Sequence, residues 1–65
     1  MNFSGIDKKV YLYKEYGIMY ENQKEYGKAV VSFSEAIRLA MQFQEVEEIK
    51  AALSNVLLNK NYFPN

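Results

Sequence analysis

The 65-residue chain has no cysteine, no histidine and no tryptophan, only one proline and only three glycines. Each absence removes an explanation. Without cysteine no disulfide can staple a small fold, and without cysteine and histidine the usual soft metal ligands are gone. The same two absences remove the commonest nucleophile–base pairs, and no glycine-rich phosphate loop takes their place. Carboxylates, lysines, tyrosines and serines remain, scattered over positions that read as solvent-facing or core. The expectation is a protein that is not an enzyme, with no metal, no cofactor and no small-molecule substrate. Eight basic and eight acidic residues cancel, so no broad field draws the chain to nucleic acid or to an anionic membrane. Apolar runs are short, as at Ala51-Ala52-Leu53 and Val56-Leu57-Leu58, against the roughly 20 residues a membrane-spanning helix needs. The start, MNFSGIDKK, lacks the charged-then-apolar order of a secretory signal. A cytoplasmic location is the expectation.

What is present is apolar and aromatic. Hydrophobic residues make up 49% of the chain, with six tyrosines and four phenylalanines, enough to drive collapse. The length allows one domain, residues 1–65. A domain of this size buries only about 60% of its unfolded surface, so its core is marginal. With disulfides and metals excluded, the remaining means of support is oligomerisation or docking onto something larger.

The apolar spacing predicts helices throughout. Ile6, Val10, Tyr13, Tyr16, Gly17 and Tyr20 recur near a 3.6-residue period, which predicts a first helix from Ile6 or Asp7 to about Gln23, with Ser4 as its cap. The pattern lapses at Glu21-Asn22-Gln23-Lys24, and a turn is expected at residues 22–24. A second stripe follows at Tyr26, Ala29, Val30, Phe33, Ala36, Ile37 and Ala40, and a third at Phe43, Val46, Ile49, Leu53, Val56 and Leu57. Glu45, Glu47 and Glu48 suit the first turn of the third helix, where the helix dipole favours acid, better than they suit a metal cluster. Asn59-Lys60-Asn61 is expected to stop that helix, and Pro64 disfavours helix at Phe63. Gly17 and Gly27 fall inside predicted helices, where each costs about 1 kcal/mol against alanine. Close approach of two helices would explain Gly17. Gly27 lies near a helix start, where the penalty is easier to bear.

The stretch from Tyr13 to Met41 resembles a tetratricopeptide repeat. Gly17, Tyr20, Ala29 and Phe33 match that family's pattern as they stand, Tyr13 replaces its usual Trp and Tyr16 its usual Leu. Small Gly17 and Ala29 would face large Tyr20 and Phe33, so that two helices interlock. Met41 stands where the family closes the repeat with proline, and without it the second and third helices can partly merge. The resemblance implies an all-α, three-helix fold: a tetratricopeptide-like hairpin over about residues 10–43 and a capping helix over about residues 44–60. More loosely, the chain is similar to the C-terminal repeats of bacterial peptide-sensing regulators.

The family binds proteins or peptides along its first helices, so the resemblance implies partner contacts at Tyr11, Lys14, Glu15, Ile18 and Asn22. A lone repeat leaves an apolar face uncovered, and about three are normally stacked. The leading expectation is therefore a non-catalytic protein–protein interaction module that self-associates into a homo-oligomer, with Ile49, Leu53, Val56 and Leu57 of the third helix making the contact. The alternative is a regulatory adaptor or inhibitor that docks onto a larger repeat-containing regulator. A more distant one is a nucleic-acid binder with stacking tyrosines and Lys8, Lys9 and Lys14 on phosphates. The zero net charge and the burial implied by the spacing set it aside.

Overall fold

The computed structural model describes the backbone of residues 5–62 and the side chains of residues 8–59. The fold is all-α, built from α1 (Gly5–Asn22), α2 (Tyr26–Leu39) and α3 (Phe43–Tyr62), and there is no strand among the described residues. Helix α2 is central. It packs on α1 over a broad contact and on α3 over a smaller one. Val10, Ala29, Phe33, Ala36, Ile49 and Val56 form the buried core, drawn from all three helices. Tyr13, Tyr20, Tyr26, Val30, Ile37 and Leu53 pack around it.

The α1–α2 contact turns on one pair. Phe33 is fully buried, and a Cβ added to Gly17 would lie 2.6 Å from its Cε1 and 2.7 Å from its Cδ1 and Cζ. The missing side chain is therefore the space the ring occupies. Gly27 is different, because among the described residues nothing lies within 4 Å of where its Cβ would stand. Its helix penalty has no counterpart among the described residues.

The first turn is a Schellman motif. The Glu25 amide donates to the Tyr20 carbonyl at 2.8 Å and the Lys24 amide to the Glu21 carbonyl at 2.9 Å, which satisfies two of the carbonyls left open at the end of α1. Lys24 carries the left-handed conformation, with φ 64°, at a position usually given to glycine. Glu25 stands at the N-cap of α2 but makes no side-chain cap hydrogen bond, and no acidic residue lies in the helix's first turn.

The second turn has neither glycine nor proline, yet α2 and α3 stay separate helices. Ala40 is extended, with φ −67° and ψ 140°, and its amide donates to the Ala36 and Ile37 carbonyls. Ala40, Met41 and Gln42 are good helix formers, so local preference does not make this break. Tertiary packing does: only a chain that folds back can bring Ile49 and Val56 into the core with Phe33.

Other expectations shift at their edges. Helix α3 runs on through Asn59-Lys60-Asn61 to Tyr62, because asparagine and lysine weaken a helix only slightly. The Ser4 cap and the break at Phe63 lie outside the described residues. Phe43 and Tyr16 were expected on buried stripes, but Phe43 is exposed and Tyr16 is only partly covered. Phe43 is the first residue of α3, and Tyr16 lies beside the Gly17 contact, not on it.

Candidate interaction surface

Helix α1 is sheathed in apolar side chains on more than its buried face. On the flank beside α3, Tyr11 is 60% exposed and Ile18 43% exposed. Lys14, one helical turn from each, reaches Glu48 of α3 at 3.9 Å. Glu15 and Asn22 are exposed on the same helix. Of the α1 part of the expected partner surface, the structure thus leaves Tyr11, Glu15, Ile18 and Asn22 exposed, while Lys14 is half-buried and turned toward α3. Because Glu48 is largely solvated, its pair with Lys14 orients two helices more than it stabilises them.

The α3 part of that expectation is corrected. Ile49 and Val56 are fully buried in the core, and Leu53 is half-buried against it. Ile49 and Val56 are taken up wholly, and Leu53 partly, by the packing of α3 on α2. Leu57, 80° further round the helix from Ile49, remains partly exposed. The apolar stripe of α3 is the cover of the hairpin, not an uncovered face.

The uncovered face lies on the opposite side of the hairpin. Leu12, Tyr16 and Met19 of α1 and Val31 of α2 are all exposed, Val31 by 68%. Tyr16 stands between Tyr13 and Tyr20, with ring centroids 6.3 and 6.5 Å away, the first pair edge-on and the second tilted. Lys28 lies 5.7 Å over the Tyr20 ring. Beside this aromatic row is an open depression of about 470 Å³ lined by Tyr20, Glu25, Gly27, Lys28, Val31 and Ser32, with no residue of α3 on its wall. The signal for this face was in the sequence: Leu12, Tyr16 and Met19 recur four and three residues apart, a second stripe about 100° from the buried one.

The ionisable side chains pair locally. Arg38 donates through Nε to Glu35 Oε1 at 3.2 Å and through Nη2 to Oε2. This hydrogen bond, with the guanidinium charge, holds the Glu35 carboxyl below its usual range and raises the Arg38 guanidinium. Lys50 reaches Glu47 at 3.5 Å. Glu47 and Glu48 therefore turn to different lysines, and among the described residues no three acidic side chains gather as a metal site would require. Among the described residues no helix is long and apolar enough to cross a membrane. Comparison with known proteins finds no matching family model, no matching curated protein and no matching solved structure.

Proposed function

We propose that the chain is a non-catalytic protein–protein interaction module, a single tetratricopeptide-like unit that self-associates through the face its own third helix leaves open. One observation carries this reading. The hairpin is covered by α3 on one side only, while Leu12, Tyr16, Met19 and Val31 stay exposed on the other. An apolar face of this kind on so small a protein marks a contact surface. Absolute mass in solution, measured by light scattering across a dilution series, tests it. A species heavier than the monomer, dissociating on dilution, is expected; a folded monomer at every concentration refutes self-association.

A second reading has its own support. The outer side of α3 exposes Glu47, Lys50 and Ser54 beside Leu58, whereas the outer flank of α1 groups Leu12, Tyr16 and Met19 into one apolar stripe. Such a unit has a more polar end and a more apolar one, as the last member of a helical array would. An adaptor that completes a larger repeat-containing protein would use the same open face. It would be a monomer alone and would form a mixed complex of defined stoichiometry with that protein.

A further inference from the structure

Gly27 is the residue that the monomer does not explain. It weakens α2 at its exposed first turn, and among the described residues no atom lies where its side chain would be. Local rules broken without an internal reason are found at functional positions. Here the bare backbone of Gly27 forms part of the wall of the open depression, next to Tyr20 and Val31. The ridge of Leu12, Tyr16 and Met19 stands on the same side of the molecule, joined to the depression through the Tyr16–Tyr20 ring contact. One face thus carries both a ridge and a hollow.

We infer that this face pairs with the same face of a second copy about a two-fold axis, the Tyr16–Met19 ridge of each copy entering the Gly27 hollow of the other. The inference rests on the self-association proposed above and names its surface, partner and symmetry. Three features favour a second copy. A ridge and a hollow on one surface are self-complementary, the condition for a closed isologous dimer. The rim of the hollow carries one acid, Glu25, and one base, Lys28, so a two-fold axis can set each opposite its counterion, where an all-acidic or all-basic rim would repel itself. The size also fits. Two helices of about 20–27 Å, each about 10 Å wide, present a face of roughly 500 Å² in projection. Corrugated by side chains, that face approaches the roughly 800 Å² per partner of a stable dimer. Gly27 then has a purpose: a long side chain there would project from the wall into the hollow.

The test compares the wild-type chain with Tyr16→Glu and Gly27→Gln by light scattering across a dilution series, with far-ultraviolet circular dichroism and thermal melting on each. Gly27→Gln is the discriminating variant, because glutamine is the better helix former and should not lower the melting temperature of the monomer. The expected result is a wild-type dimer, and variants that are folded and monomeric, with dimer affinity reduced about thirtyfold or more. A wild-type dimer unchanged by Gly27→Gln overturns the inference and leaves self-association standing through another surface. A wild-type monomer at all concentrations overturns both, and open-ended oligomers overturn the two-fold arrangement.

Discussion

The two sides of α2 are built differently. Toward α1 the packing is small against large: Gly17 makes room for the Phe33 ring, and a cap motif closes the turn between the two helices. Toward α3 the contact is smaller. It depends on two buried aliphatic side chains, Ile49 and Val56, and its turn has no residue that requires a break. The first joint is fixed locally and then packed. The second exists because packing holds it. A small domain can afford one joint of the second kind when the first already supplies a folded surface to dock on.

The comparison can be broken most severely at the residue both sides share. Phe33→Ala should cost about 3–5 kcal/mol, comparable to the whole stability of so small a domain. Cooperative melting should be lost; a mutant melting near the wild-type temperature would contradict the packing described here. Ile49→Ala should cost about 2–4 kcal/mol and act on the α3 side first. Amide hydrogen exchange should then show α3 losing protection before α1 and α2, and uniform loss across all three helices would erase the distinction between the joints.

Gly17→Ala sharpens the α1 side. Overpacking against Phe33 costs about 1–3 kcal/mol, and alanine's better helix propensity returns about 1 kcal/mol of it. Urea denaturation should give a net loss, whereas a net gain would mean the ring can move aside. Smallest is Lys24→Gly, which relieves the left-handed strain at the first turn and should stabilise by about 1 kcal/mol. No rise in denaturation midpoint would mean that the added freedom of glycine in the unfolded chain offsets the relief.

Several features were legible without the structure because they are local. The 3.6-residue spacing located three helices, and Gly17, Ala29 and Phe33 revealed the small-against-large contact. The lapse at residues 21–24 located a turn whose hydrogen bonds run between neighbours in sequence. The faces of α3 were harder to read. A stripe of Ile49, Leu53 and Val56 looks the same whether it covers its own hairpin or awaits a partner, since periodicity shows that a face is apolar and not what covers it.

The sequence by itself therefore determined the helices, the first turn, the absence of cysteine and histidine chemistry and the pair at the centre of the core, because these depend on residue identity and near neighbours. Only the tertiary structure decided three other things. It broke the chain at Ala40–Gln42, although those residues favour helix, because burying Ile49 and Val56 outweighs three residues of propensity. It drew α3 inward and so buried Ile49 and Val56, which were expected to bind. It left Leu12, Tyr16, Met19 and Val31 exposed, because a layer of helices covered by α3 from one side has a second side that α3 does not reach.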